Sequence, residues 1–181
     1  PDGYHADGWL LLINGVQSSH VIVGQPRMLD FEYMRWVAAV LDSHIQTHLN
    51  PEKLRITHLG GGACSLARYC ADVYPNSRNT VVELDAKLAE YVREWFDIPK
   101  SPRVKIRVGD AGTVTRSFAP ASRDVVIRDV FAVDKTPAEL TSVDFVRTVD
   151  HSLAPGGLYI LNCGDGPSLD GARAEVAALF E

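Results

Sequence analysis

Three consecutive glycines, Gly60, Gly61 and Gly62, stand between an apolar run, Arg55 to Leu59, and a helical pattern that begins near Ser65. Glycine tolerates a tight turn beneath a ligand and leaves amide N–H groups free, and the helix start adds a partial positive charge there. One helix later, Thr80-Val-Val-Glu-Leu-Asp85 places Glu83 at the end of a second strand pattern. A strand, a glycine turn, a helix and an acid-ended strand make a nucleotide-binding βαβ unit, with the acid set to receive ribose hydroxyls. Asp110, with Ala111 after it, follows a third strand pattern, and Asp129 follows a fourth. Amide donors and three carboxylates on one rim point to a nucleoside cofactor. The spacing Gly60-x-Gly62-x-x-Ser65 lacks the third glycine of a dinucleotide fingerprint, which argues against an NAD-dependent dehydrogenase.

The elements that must carry these residues follow from periodicity. Residues 9–13 and 20–23 read as short strands joined through Asn14-Gly15, a hairpin signal. From Asp30, an expected N-cap, apolar residues recur at Phe31, Met34, Val37, Ala38, Leu41 and Ile45, one face of a helix that Asn50-Pro51 ends. Further helices carry Leu66, Cys70 and Val73, then Leu88, Val92 and Phe96 with Asp85 as cap. Residues 104–108 alternate as a third strand, and 124–129 form a continuous apolar fourth, as buried parallel strands do. Thr136-Pro137-Ala138-Glu139 has capping-box spacing, so a helix starts there or at Thr141; Pro155-Gly156-Gly157 then turns into a fifth strand, 158–162, and a last helix spans 169–180. The alternation predicts an α/β fold, a doubly wound, mostly parallel, Rossmann-like sheet with ligands at the carboxyl ends of its strands. Residues 1–28 form an N-terminal β-hairpin appendage and 29–181 the nucleoside-binding domain.

The rest of the composition excludes several classes. A net charge of -5, with lysines and arginines scattered, gives no footprint for nucleic acid or an anionic membrane. The run Trp9 to Ile13 is too short for a membrane span and lacks signal-peptide flanks, so a soluble chain is expected. Three cysteines without CxxC spacing signal neither a disulfide framework nor zinc, which fits a reducing cytoplasm. His44 and His48, at i, i+4, lack an adjacent glutamate and a third ligand, so no metal is expected. Cys64 in the glycine loop reads as a small space-filler, although a helix start can also lower a thiol pKa. The chain opens on Pro1 rather than Met, as a processed product or a segment would.

The segments NGVQSS, FEYM, LGGGA, VVELD, VGDA, DVVIRDVFA, TPAELTSVDF and LAPGGLYILN, spread from Asn14 to Asn162, resemble the spermidine synthase-like group of the class I S-adenosylmethionine-dependent methyltransferase fold. The resemblance implies a cytoplasmic aminopropyltransferase of polyamine biosynthesis. It would move an aminopropyl group from decarboxylated S-adenosylmethionine to a small-molecule amine such as putrescine, without a metal. It implies that Gly60 to Gly62 face the aminopropyl end, Glu83 binds the ribose, Asp110 with Ala111 meets the adenine, and Gln17 reaches in from the hairpin. Asp129 is then the catalytic, amine-handling carboxylate. Family members carry further aspartates where this chain has Ala63 and Ala132, which leaves Asp134 and Glu32 as the expected amine-binding substitutes. The same fold admits a methyltransferase using S-adenosylmethionine itself, or a non-catalytic cofactor-binding homologue. The family fold adds a strand pair after the last helix; its absence would leave a sheet edge open, so a homo-oligomer, a dimer, is expected.

Overall fold

Valine-rich and isoleucine-rich runs alternate with one-faced helices along the chain, and each helix can hide its apolar face only by lying on the strands. The computed structural model, which describes residues 1–132, 135–164 and 168–180, realises that arrangement. Five strands, β3 (Arg55–Leu59), β4 (Arg78–Glu83), β5 (Val104–Val108), β6 (Arg123–Arg128) and β7 (Leu153–Leu161), form a sheet in the order β5-β4-β3-β6-β7. Every pair in it is parallel. Ile56, Leu59, Val81, Val82, Val125, Val126 and Ile127 are at most 2% exposed, which is why their strands read as unbroken apolar runs.

Helices α1 (Glu32–His48), α2 (Ser65–Val73) and α3 (Ala86–Trp95) cover one face, packing on Ile56, Val81, Val104, Val125 and Ile127. Helices α4 (Ala111–Arg116) and α5 (Val143–Ser152) cover the other through Leu59, Val82 and Val126. Helix α6 (Asp170–Ala178) follows β7 and brings Glu175 to the buried Arg128 as an ion pair. Among the described residues no helix is long and apolar enough to cross a membrane.

The hairpin, β1 (Gly8–Ile13) and β2 (Val16–Ile22), turns through Asn14 and Gly15 at φ 51° and 81°, the left-handed pair that a tight hairpin turn requires. It is packed against α2: the Ser65 hydroxyl donates to the His20 carbonyl at 2.8 Å, and Arg68 donates to the Ile22 carbonyl at 3.2 Å. Val21 lies in the same apolar cluster as Ala67, Val81 and Val92.

Strand β2 opens at Val16 rather than His20, because its pairing with β1 runs down to Ile13 opposite Val16, and three further boundaries differ from the sequence reading, each for a local reason. Phe31, not Asp30, is the N-cap of α1 and has no polar side-chain atom with which to cap it; the Asp30 backbone carbonyl accepts from the Arg35 guanidinium. The Thr136 to Glu139 segment yields a 3-10 turn, Ala138–Thr141; α5 starts after Ser142, whose hydroxyl accepts from the Phe145 amide at 3.2 Å. Strand β7 begins at Leu153 and runs through Pro155-Gly156-Gly157, which a slipped register opposite Arg123 and Val125 accommodates. An edge strand tolerates a proline that a central one would not.

Asp85, at the end of β4, caps α3 by accepting from the Lys87 and Leu88 amides at 2.8 and 3.1 Å. Removing such a cap costs roughly 1 kcal/mol, so Asp85→Ala lowers the urea midpoint with an unchanged m-value. An unmoved midpoint would show that water replaces the cap at no cost.

Candidate functional site

Where β3, β4 and β6 end, the chain leaves a cavity of about 750 Å³. Its floor is the glycine loop. Gly60 and Gly62 take φ of 90° and 46°, and a Cβ on Gly60 would lie 2.1 Å from the Asp129 carbonyl oxygen. Glycine here is a condition for the exits of β3 and β6 to lie side by side.

Glu83 locks onto this loop: its Oε2 accepts from the Gly61 and Gly62 amides at 3.0 and 3.3 Å, and its Oε1 from the Asp85 amide at 2.9 Å. The hairpin forms the roof. Ser19 Oγ accepts from the Ala63 amide at 3.0 Å, and β2 thereby carries Gln17, Ser18 and Ser19 to the cavity wall. Ala63 itself is fully buried beneath the roof, whereas Ala132 is exposed on the cavity wall.

Asp110 caps α4, its Oδ1 accepting from the Thr113 amide at 2.7 Å. That backbone bond, aided by the Thr113 side chain, holds the Asp110 carboxyl below the usual carboxylate range. Asp129 is held from two sides: Tyr33 donates its hydroxyl to Oδ2 at 2.7 Å, and Asn162 donates from Nδ2 to Oδ1 at 3.0 Å. Burial, reinforced by the Asp129 charge, pushes the Tyr33 phenol well above its ordinary pKa, so it remains a donor. Behind this group the Arg128 guanidinium, neutralised by Glu175, donates to the Leu140 and Asn162 carbonyls at 2.9 and 3.3 Å.

Charge is distributed unevenly around the cavity. Five carboxylates line it, Glu83, Asp85, Asp110, Asp129 and Glu139, and among the described residues no lysine or arginine does. His58, also on the wall, is pushed down to about 4 by burial and is therefore neutral at pH 7. Its Nε2 lies 3.0 Å from Asn79 Oδ1. A concave, acid-lined site over a glycine loop is suited to a cationic ligand with hydroxyl groups.

Gln17, Gly60, Gly61, Gly62, Glu83, Asp110, Ala111 and Asp129, dispersed in sequence, all line this one cavity. Glu32 does not line it: it lies exposed in the first turn of α1, and the next residue, Tyr33, turns to the cavity instead. Asp134 lies outside the described residues. Tyr33, Asn162, Ser19 and Glu139 were passed over in the sequence. Asn162 had a usable signal, since it ends β7 and the strand-end rule that marks Asp129 applies equally to it. Cys64 is the space-filler: burial pushes its thiol up to about 12, too high for a reactive thiolate at neutral pH.

Asp2, His5 and His20 are the trio among the described residues whose ligand atoms are close enough to share a metal ion. They lie off the cavity wall, and Asp2 Oδ2 already pairs with His5 Nδ1 at 2.9 Å and His20 Nε2 at 2.6 Å.

Comparison with known proteins adds an independent line. A family model described as "Spermine/spermidine synthase domain" matches residues 39–169. The chain is 32% identical over 141 residues to the eEF1A lysine and N-terminal methyltransferase of Mus musculus, a match that covers 72% of this chain and 20% of that protein. It is 26% identical over 140 residues to the polyamine aminopropyltransferase of Vibrio vulnificus, covering 76% of this chain and 45% of that protein. A crystal structure of a probable spermidine synthase from Corynebacterium glutamicum superposes with a TM-score of 0.96 at 61% identity, over 99% of this chain and 64% of that one. The chain thus spans less than two thirds of each of these proteins. Since that family model matches residues 39–169, most of its length, the chain belongs to the spermine/spermidine synthase domain family.

Proposed function

We propose that the cavity binds decarboxylated S-adenosylmethionine and transfers its aminopropyl group to an amine. The observation that carries this reading is the charge of the wall: five carboxylates and, among the described residues, no lysine or arginine. The decarboxylated donor carries a sulfonium and an ammonium and no carboxylate. S-adenosylmethionine adds a carboxylate, which would need a cation or free amides, and the Gly61 and Gly62 amides already serve Glu83. At an effective dielectric constant near 20, a charge pair about 4 Å apart is worth roughly 4 kcal/mol, enough to sort the two donors.

In this reading Glu83 receives the ribose hydroxyls, Asp110 and Ala111 meet the adenine, and Gln17 with the serines of β2 closes the wall against water. The donor supplies a sulfonium-activated carbon: as the amine lone pair forms the N–C bond, the C–S bond breaks and its electrons stay on sulfur as a neutral thioether. Asp129 takes a proton from the incoming ammonium and so frees that lone pair. Tyr33 and Asn162 fix both Asp129 oxygens, so the carboxylate meets the amine without rotating.

Methyl transfer from S-adenosylmethionine is the second reading, favoured by the 32% identity to the mouse methyltransferase. Isothermal titration separates the two. The decarboxylated donor is expected to bind at least about tenfold more tightly, a difference of roughly 1.4 kcal/mol. Tighter binding of S-adenosylmethionine would favour methyl transfer.

A further inference from the structure

Arg128 directly precedes Asp129, and successive residues of a strand point to opposite faces. Asp129 turns to the cavity, whereas Arg128 lies off its wall and is fully buried. The Arg128 guanidinium pairs through Nη1 with Glu175 Oε1 of α6, and the same nitrogen donates to the Leu140 carbonyl at 2.9 Å. Its Nη2 donates to the Asn162 carbonyl at 3.3 Å, and the Arg128 carbonyl accepts from the Asn162 amide at 2.8 Å. One residue thus holds both backbone polar groups of Asn162, whose carboxamide donates to Asp129 Oδ1. The second oxygen of Glu175 accepts from the thiol of Cys163, the next residue, at 3.2 Å. Burial pushes that thiol up to about 11, so it stays protonated and remains a donor at neutral pH.

Ion pairing does not by itself account for a buried arginine. Taking two charges out of water costs about as much as their attraction returns, and an apolar pair of similar volume commonly holds a fold as well or better. What an apolar pair lacks is a fork of N–H donors. Here the fork joins two separate segments of the cavity wall, Asn162 at the exit of β7 and Leu140 in the Ala138–Thr141 turn.

We infer that Arg128, held by Glu175, is a positioning residue for the attacking amine. It fixes the Asn162 backbone, and the Asn162 carboxamide then keeps the Asp129 carboxylate at the angle at which it meets the ammonium. This rests on the aminopropyl-transfer reading and adds to it a control of the site from α6, a helix off the cavity wall. A misplacement of about 1 Å at such a carboxylate can cost about a hundredfold in rate.

The test follows methylthioadenosine release from decarboxylated S-adenosylmethionine, with butane-1,4-diamine or n-pentylamine as the amine. Arg128→Met combined with Glu175→Leu replaces the ion pair with apolar side chains. This variant is expected to lose at least about tenfold in kcat while its Kd for methylthioadenosine stays within about twofold of wild type. The binding is spared because Gly61, Gly62, Glu83 and Asp110 are held by other bonds. Asn162→Ala removes the carboxamide itself and is expected to be similarly slow. Adding the apolar pair to Asn162→Ala slows turnover no further, since both act through the same bond. Arg128→Lys keeps the charge opposite Glu175 but lacks the fork, and it is expected to lose kcat likewise even where the apolar pair destabilises the fold. Wild-type kcat in Arg128→Lys or in the apolar pair overturns the inference and leaves aminopropyl transfer standing, as does a combined variant whose loss is the product of the separate ones. No methylthioadenosine from the wild-type protein with either amine, in the presence of a bound donor, overturns aminopropyl transfer and this inference with it.

Discussion

Asp129→Asn is expected to lower turnover by about 10²- to 10⁴-fold, the range associated with losing a positioned proton acceptor. The substitution is nearly isosteric. Its carboxamide oxygen still accepts from the Tyr33 hydroxyl, and the Asn162 amide can flip to offer its own oxygen to the new NH2 group. The fold and the donor site therefore persist, and the loss falls on kcat. A thermal melt within a few degrees of wild type, with methylthioadenosine bound as before, would accompany the slow variant. If donor binding disappears together with turnover, Asp129 is a donor contact and its proton-accepting role is mistaken.

Gly60→Ala is expected to cost more than about 3 kcal/mol, with loss of the site. Two effects combine. A residue with a Cβ is strained at φ 90°, and that Cβ would lie 2.1 Å from the Asp129 carbonyl oxygen and 2.9 Å from its carbonyl carbon. Neither neighbour is free to move, because the Gly60 amide donates to the Val82 carbonyl at 3.0 Å and the Asp129 amide to the Leu59 carbonyl at 2.8 Å. Gly15→Ala provides the control. Its φ is 81° and its Cβ would meet nothing within 4 Å, so only the conformational part, about 1 kcal/mol, is lost. Equal urea midpoints for the two variants would show that the strands part readily at Gly60.

The sheet was legible because the centres of its buried strands are apolar runs: Val81-Val82 and Val125 to Ile127 announce themselves without any partner in view. The rim was legible for a related reason, since a parallel sheet delivers every strand end to one side. Gly60, Glu83, Asp110 and Asp129 could thus be grouped before any distance was known. What stayed hidden depends on rotation and on long-range pairing. Glu32 and Tyr33 differ by one helical step, about 100°, and only packing of the buried Met34, Val37 and Leu41 fixes which of them turns to the cavity. Ser19 became a roof over Ala63 through a contact 44 positions away, which no local pattern encodes. The start of α5 fell at neither Thr136 nor Thr141: Ser142, one residue further on, closes the cap by accepting from the Phe145 amide, a bond that no spacing in the sequence singles out.

The central claim is that one acid-lined rim receives an adenosyl sulfur compound with its sulfur toward Asp129. A crystal structure with methylthioadenosine tests it most directly. The account predicts the adenine beside Asp110 and Ala111, the ribose hydroxyls on Glu83, and the sulfur facing Asp129 between Tyr33 and Asn162. A nucleoside seated elsewhere, or one whose sulfur points away from Asp129 toward solvent, would contradict it.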